Sequence, residues 1–504
     1  DVRDQLGPTV TVSRGPLVRE SLRLQNIELP APAARLAWLA ENVPNLPGSG
    51  IIYALTIGDA QSIATWLQSQ GIDAYAYWGG QESSIREELE NRLLKNKLKA
   101  LVATTALGMG FDKPDLGFVI HYQRPGSVVH YYQQVGRAGR ALPEAYGILL
   151  SGREDNEITD YFIKTAFPPE AHVEAVLDAL GKAEDGLSVP LLERDVNLMR
   201  GQIEKVLKSL AVKSPAPVTK IESKWYATPV HYEPDREKIA QLTGTRYREQ
   251  AVMTEYIQSR QCLMQFLALE LDDENPVPCG KCAVCMGGPL LSESYSPELA
   301  RRAMQYLRRG HYSIEPRKQS PRDALPSFGW AGSIPPELRY NEGRALSHWA
   351  DDGWGTLVRN GKQIEGSFND ELVEASAALI TERWKPDPAP TWVTSIPSQR
   401  HEGLVDDFAR RLALQLHIPF VNSISKQCST TPQKEMENSY QQAHNLDGAF
   451  LVNKASVQNG PVLLVDDIVD SRWTFTVAAA QLLMAGSGPV YPFALADSSK
   501  SDNG

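Results

Sequence analysis

No G-x-x-x-x-G-K-[ST] string occurs in the 504 residues, and the Gly-Lys pairs at Gly181, Gly280 and Gly361 run on into Ala183, Cys282 and Gln363 instead of Ser or Thr. A loop that cradles phosphates with its own backbone and lysine is therefore missing. A D-E-x-H metal motif is missing as well. No apolar run reaches the ~18 residues needed to span a bilayer, and the first residues carry no signal-peptide pattern, so a cytoplasmic protein with no membrane partner is expected. Basic charge is not in excess. Fifty-one Lys and Arg face 61 Asp and Glu, a net charge of −10, which excludes a general basic coat and leaves any nucleic-acid contact to local patches or backbone donors.

What is present is length for three or four domains, with 42% hydrophobic and 22% charged residues, as in ordinary globular proteins. From Ile51 to about Phe167, short apolar runs alternate with amphipathic segments, the pattern of a parallel sheet covered by helices. Strands are predicted at Ile51–Leu55, Ala74–Tyr77, Leu101–Thr104, Phe118–Tyr122 and Gly147–Leu150. Helices are predicted at Ala60–Gln70, Ser84–Lys95, Val128–Gln134 and Glu157–Thr165.

Thr104-Thr105-Ala106-Leu107-Gly108-Met109-Gly110-Phe111-Asp112-Lys113-Pro114 leaves one of these strands at the carboxyl end of the sheet, where open α/β folds place ligands. It is followed by Tyr131-Tyr132-Gln133-Gln134-Val135-Gly136-Arg137-Ala138-Gly139-Arg140. Read as helix, Arg137 and Arg140 are three apart and share a face, so both guanidinium forks can meet one polyphosphate. The two blocks resemble motifs V and VI of RecQ-family DNA helicases. The resemblance implies a second RecA-like lobe in which Gln133, Arg137 and Arg140 face ATP and its Mg2+, and Asp112 and Gly110 lie near the nucleotide. Thr104, Thr105 and Gly108 would contact single-stranded DNA. The phosphate loop and D-E-x-H motif belong to the first lobe of such enzymes. The opening Asp1–Leu24 is accordingly expected to be the tail of that lobe, and the chain to hydrolyse no ATP alone.

Residues 171 to about 235 read as a winged helix. Short helices are predicted at Val173–Leu180 and Val189–Asp195, and Ile203, Val206, Leu207 and Leu210 form the apolar stripe of a third. Val218–Ile221 and Trp225–Thr228 would form the wing. Arg200, Lys205 and Lys208 on the opposite face are candidate DNA contacts, although a charged face is often only solvated. Cys262, Cys279, Cys282 and Cys285 then form a C-x16-C-x2-C-x2-C array, four soft ligands suited to a structural Zn2+. It resembles the RecQ zinc module and places that module at 236–290. Disulfides are the competing reading for these thiols.

Residues 291–390, rich in Pro, Gly and Trp, read as a linker or irregular domain bounded by Pro386-Asp387-Pro388-Ala389-Pro390. Beyond it, strands at Trp392–Ile396, Val462–Val465 and Val490–Leu495 alternate with helices at Val405–Leu416 and Thr474–Met484, again suggesting a parallel sheet over 391–504. Val462–Thr474 resembles the phosphoribosyltransferase signature, closest to ComF-like domains. Asp466 and Asp467 match the acids that hold the ribose of phosphoribosyl pyrophosphate, and Ser471 and Thr474 could donate to its phosphate. Ile396-Pro397-Ser398-Gln399-Arg400 occupies the expected pyrophosphate-loop position. Arg472 departs from the family, which usually has glycine there.

The expected fold class is therefore α/β multidomain, in the order RecA-like parallel-sheet lobe (25–170), winged helix, zinc-binding helical module and phosphoribosyltransferase-like α/β domain. The resemblances imply part of a 3′ to 5′ RecQ-like DNA helicase acting on single strands and duplex junctions in repair or recombination. The alternatives are a phosphoribosyltransferase of nucleotide metabolism and a non-enzymatic DNA-binding protein.

Overall fold

The computed structural model describes residues 17–499 apart from 106, 108–110, 331, 350, 352, 399, 428 and 429. The described residues form two compact units. One joins the chain up to Ala166 with Arg236–Tyr306, and the other joins Phe167–Asp235 with the chain from Leu307 onward.

The first unit is built on six strands: β1 (Leu22–Glu28), β2 (Gly50–Tyr53), β3 (Ala74–Tyr77), β4 (Ala100–Ala103), β5 (Phe118–His121) and β6 (Ala145–Ser151). Their order is β1-β6-β5-β2-β4-β3, and every pair is parallel. Strands β2, β4 and β5 are buried throughout, as expected where helices cover both faces, and this explains their unbroken apolar sequences. The covering helices are Pro32–Asn42, Ile57–Ser69, Ser83–Leu94, Val128–Val135 and Asp155–Lys164. Thr56 starts the second of these by accepting from the Asp59 amide at 3.0 Å.

Strand β1 corrects the expected boundary at residue 24. Leu22 pairs in register with Ala145, so residues 22–24 belong to this sheet. A lone edge strand whose only neighbour lies more than a hundred residues downstream leaves little local trace.

A 23-residue helix, Arg236–Gln258, brings the cysteine-bearing segment back to the same unit. A line of rings joins it to the sheet: Tyr53 to His121 (5.3 Å between centroids), His121 to Tyr131 (4.8 Å), Tyr131 to Tyr256 (5.3 Å) and Tyr256 to Phe266 (5.4 Å). Offset ring pairs of this kind add stabilisation beyond their buried area. Arg124 cross-links the same parts, donating to Thr254 at 2.8 Å and to Asn156 at 2.6 Å.

In the second unit, helices Glu170–Lys182, Val189–Asp195 and Arg200–Ala211 precede an antiparallel hairpin of β7 (Val218–Ile221) and β8 (Lys224–Ala227). Ile203, Val206, Leu207 and Leu210 are buried together against Val173, Val176 and Leu192, the stripe read from the sequence. The rest of the unit holds β9 (Tyr312–Ile314), β10 (Gly343–His348), β11 (Trp392–Ser395), β12 (Ile424–Lys426), β13 (Phe450–Val452), β14 (Val462–Val469) and β15 (Val490–Asp497). Five of these form a sheet in the order β11-β14-β15-β10-β9, parallel except for β9 at the edge, while β12 and β13 pair separately.

The stretch 291–390 is therefore not a linker. It supplies β9, β10 and helices Gly355–Asn360 and Asp370–Ala378, and β10 lies beside β15 in the main sheet. The proline cluster is a loop inside the domain, pinned by Tyr491 Oη donating to the Asp387 carbonyl at 2.7 Å. Pro and Gly content mimicked a boundary because the strands there are short and far from their partners.

His121 is 1% exposed, and its imidazole is pushed down to about 4 by burial, with the hydrogen bond to Gln134 (2.7 Å) opposing. An unfolded histidine titrates near ~6.5, so the unfolded chain binds more protons as pH falls through that value, and the first unit loses up to about 3 kcal/mol between pH 6.5 and 4. Asp155, whose carboxyl burial raises to about 6, acts in the opposite sense over that range. In melts at pH 7, 5.5 and 4.5, His121→Phe, which keeps the ring stack, is expected to show a smaller loss on acidification than the parent. Equal losses would remove His121 as the cause.

Candidate functional site

Parallel pairing sends the loops after β4 and β5 to one edge of the first sheet. Thr104, half-buried, and Thr105, exposed, follow β4 directly, with the Thr104 amide donating to the Tyr77 carbonyl at 3.2 Å. Gly108 and Gly110 lie outside the described residues. Helix Val128–Val135 is capped by Ser127, whose Oγ accepts from the His130 amide. It ends at Val135, so Arg137 and Arg140 do not ride on a helix as the i, i+3 reading required. They stand on successive turns, with Gly139 at φ +71°, where an added Cβ would lie 2.7 Å from Ser21 Oγ.

The two arginines nevertheless converge on one segment. Arg137 Nη1 donates to the Phe111 carbonyl at 2.9 Å, and Arg140 Nη1 pairs with the Asp112 carboxylate at 2.7 Å. The half-buried Arg137 has its Nε buried with no hydrogen-bond partner among the described residues. Its guanidinium also faces the Tyr53 phenol, which burial pushes up to about 12 against the opposing pull of Arg137. Gln133 is exposed, while its neighbour Gln134 is engaged with His121. Two residues that the sequence reading missed, Tyr53 and His121, back this corner. Both sit in strands, where a buried polar residue looks like any core position.

The four cysteine sulfurs lie within 4.8 Å of one another. Cys262 caps helix Leu263–Glu270, and its Sγ accepts from the Cys279 amide at 3.1 Å. The Cys262 and Cys282 sulfurs are 4.0 Å apart, far beyond a disulfide bond and close to the roughly 3.8 Å edge of a tetrahedron with ~2.3 Å zinc–sulfur bonds. The Cys282 thiol is pulled down to about 4 by hydrogen bonding from Cys279 and then by backbone donors, while burial pushes Cys285 up to about 11. All four can be thiolates at this separation only with a cation between them. The cluster is compatible with structural zinc, and no fifth ligand or open coordination position is needed for that role.

In the second unit, Arg200, Lys205 and Lys208 are exposed on helix Arg200–Ala211, with Arg200 and Lys208 on either side of Glu204, at 3.0 and 3.9 Å. At the carboxyl edge of the other sheet, Ile396, Ser398, Arg400, Asp466, Ser471 and Thr474 line a cleft of about 530 Å³. Asp467, 6% exposed, pairs at 2.7 Å with Lys362, which comes from the helical turn Gly361–Glu365. Burial, and then the neighbouring Asp467 charge, hold the Asp466 carboxyl well above the usual carboxylate range. Arg472 takes the left-handed conformation expected of glycine (φ +68°), at a cost of about 1–2 kcal/mol, and donates to the Glu315 carbonyl at 3.3 Å. Lys362 went unread because its Gly361-Lys362-Gln363 setting fails as a phosphate loop; only folding reveals its partner.

Among known proteins, residues 35–142 match the helicase conserved C-terminal domain family. The chain is 31% identical over 263 residues to ATP-dependent DNA helicase RecQ of Synechocystis sp., an alignment covering 48% of this chain and 50% of that protein. It is 37% identical over 141 residues to RecQ-like DNA helicase blm-1 of Caenorhabditis elegans, covering 28% of this chain and 14% of that one. The chain of E. coli DEAD-box protein SrmB, solved with regulator of ribonuclease activity A, aligns with 28% of this chain and 83% of its own at 23% identity and a TM-score of 0.26. This chain thus spans half the length or less of the two RecQ relatives. Residues 35–142, which lie on the parallel α/β sheet of the first unit, thus match a helicase C-terminal domain, and the chain is similar to RecQ helicases over part of its length.

If zinc holds the cysteine array, the purified chain contains one zinc ion, and Cys282→Ser loses it while lowering the first unit's melting temperature by on the order of 10 °C. Elemental analysis and calorimetry with and without a chelator check this; an unchanged melt after complete zinc removal would overturn it.

Proposed function

We propose that this chain acts as the second lobe, zinc module and winged helix of a RecQ-like ATP-dependent DNA helicase working at the nucleoid. It closes on a nucleotide gripped by a phosphate-loop lobe that these residues do not include. The reading rests above all on the joint anchoring of Arg137 and Arg140 to residues 111 and 112. In this reading ATP, with Mg2+, provides the free energy by phosphoryl transfer. Arg137 stabilises charge developing on the transferred group, and Arg140 and Gln133 orient the same face. Asp112 and Gly110 lie at the nucleotide, and Thr104, Thr105 and Gly108 hold single-stranded DNA. A change at the arginines then reaches the DNA segment along the stretch from 104 to 112, and the RecQ resemblance implies translocation in the 3′ to 5′ direction. Zinc is structural. Arg200, Lys205 and Lys208 are positioned to meet DNA phosphates at a duplex junction.

A second reading belongs to the C-terminal domain. The pairing of half-buried Lys362 with buried Asp467 at the cleft favours a phosphoribosyltransferase-like site that binds a sugar phosphate, with hydroxyls at Asp466 and Asp467 and phosphate at Ser471 and Thr474.

The chain alone is expected to turn over no ATP. Joined behind a lobe bearing the phosphate loop and D-E-x-H acids, it should show turnover stimulated by single strands, and Arg137→Ala should reduce that turnover by roughly 10³-fold or more with DNA affinity retained. A steady-state ATPase assay beside an anisotropy titration decides; undiminished turnover takes Arg137 out of the reaction.

A further inference from the structure

Residues 433–441 of the second unit lie between the cleft and the three-helix domain that precedes the hairpin β7–β8. On one side, Asn438, 3% exposed, donates Nδ2 to the carbonyls of Glu193 at 2.7 Å and Val196 at 2.8 Å. Gln441 donates to the Arg194 carbonyl at 2.9 Å. The Glu193 and Arg194 carbonyls belong to the last turn of helix Val189–Asp195, and the Val196 carbonyl just beyond it also accepts from the Leu198 amide at 3.0 Å, so the segment helps to cap that helix end. Asn197 completes the seam, donating to the Glu435 carbonyl at 2.6 Å and accepting from the Glu437 amide at 2.8 Å. Glu437 also reaches Gln202, in the first turn of helix Arg200–Ala211, at 3.5 Å. That turn is the part which helix-turn-helix proteins lay against bases, and carboxylates beside it repel phosphates.

The next residue faces the other way. Ser439 Oγ accepts from Trp473 Nε1 at 2.9 Å and from Arg317 Nη1 at 3.3 Å, and Arg317 Nε donates to the Ser471 carbonyl at 2.7 Å. Ser471 is in the cleft loop. At the cleft wall, Arg400 pairs with Glu435 at 3.1 Å, an exposed contact that another anion can displace. Adjacent residues 438 and 439 therefore tie the turn before the third helix to the loop that lines the cleft.

We propose that the cleft is an effector site for the winged helix. A sugar phosphate entering it competes with Glu435 for Arg400 and engages the loop at Ser471, which loosens residues 433–441 from Asn197 and Gln202 and frees the third helix for duplex DNA. The proposal rests on the sugar-phosphate reading of the cleft given above. Linkage makes it reciprocal: duplex DNA raises ligand affinity by the same factor that ligand raises duplex affinity.

The test uses the full chain with ribose 5-phosphate, and with phosphoribosyl pyrophosphate plus Mg2+, as probes. Binding is read by calorimetry, amide exchange at 196–203 and 470–476 by mass spectrometry, and duplex affinity by anisotropy. Saturation is expected to slow exchange at 470–476, speed it at 196–203, and tighten duplex binding by roughly fivefold. Ser439→Ala removes only the shared hydroxyl; it should hold ligand affinity within about twofold and lose the response at 196–203. Arg400→Gln should show fast exchange at 196–203 before any ligand is added, which keeps the proposal testable if Ser439→Ala folds poorly. Ligand binding that protects 470–476 and leaves 196–203 and duplex affinity unchanged overturns the effector role while leaving the cleft reading intact. An unaltered response in Ser439→Ala overturns the relay. If neither probe binds at millimolar concentration, the cleft reading itself falls and the effector role with it.

Discussion

Parallel strand pairing obliges every strand of a sheet to end on the same edge, and the chemistry of this molecule follows from that obligation twice. In the first unit it delivers the loops after β4 and β5 to one rim, where residues 111–112 meet Arg137 and Arg140. In the second it places the end of β11 beside the end of β14, so Ile396, Ser398 and Arg400 share a cleft with Asp466, Ser471 and Thr474. The strands themselves are buried and apolar, and variation is left to the loops. Neither site needs residues close in sequence; each needs a sheet that stays parallel.

The first unit guards its rim from behind. His121, Tyr131 and Tyr256 stack inward from the strand that precedes the arginines to the helix that precedes the cysteines. Tyr131 and Tyr256 are fully buried, and their hydroxyls interact with each other, so the ring line carries a polar contact as well as close packing. The cysteine cluster thus stabilises more than its own knuckle, since the helix before it packs through Tyr256 on Tyr131, in the helix that leads to the arginines.

The second unit solves a different electrostatic problem. Two carboxyls on successive residues of a buried strand cannot both stay charged unaided. Lys362 neutralises one, and burial, with the neighbouring Asp467 charge, holds the other well above the usual carboxylate range. The pair is then tolerable in the folded protein. Arg472 in a left-handed turn is a further local expense retained beside the same cleft.

Periodicity and local chemistry made much of this readable. The apolar runs of β2 to β6, the stripe Ile203, Val206, Leu207 and Leu210, and the four-cysteine spacing each report a contact among neighbours or a fixed geometry, so they appeared at nearly the residues expected. What eluded sequence reading depends on distant partners: β1 needs β6, β10 needs β15, Lys362 needs Asp467, and Asn438 needs a helix end some 240 residues earlier. Arg137 and Arg140 show the division most clearly. Their identity and spacing singled them out as a pair from the sequence alone, but the presumed helix ends before them, and their shared direction comes from a loop that folding brings alongside. Sequence by itself settled which residue types and periodicities were present, because those are local; tertiary structure decided which of them meet, because burial and charge pairing act between segments that only the completed sheets bring together.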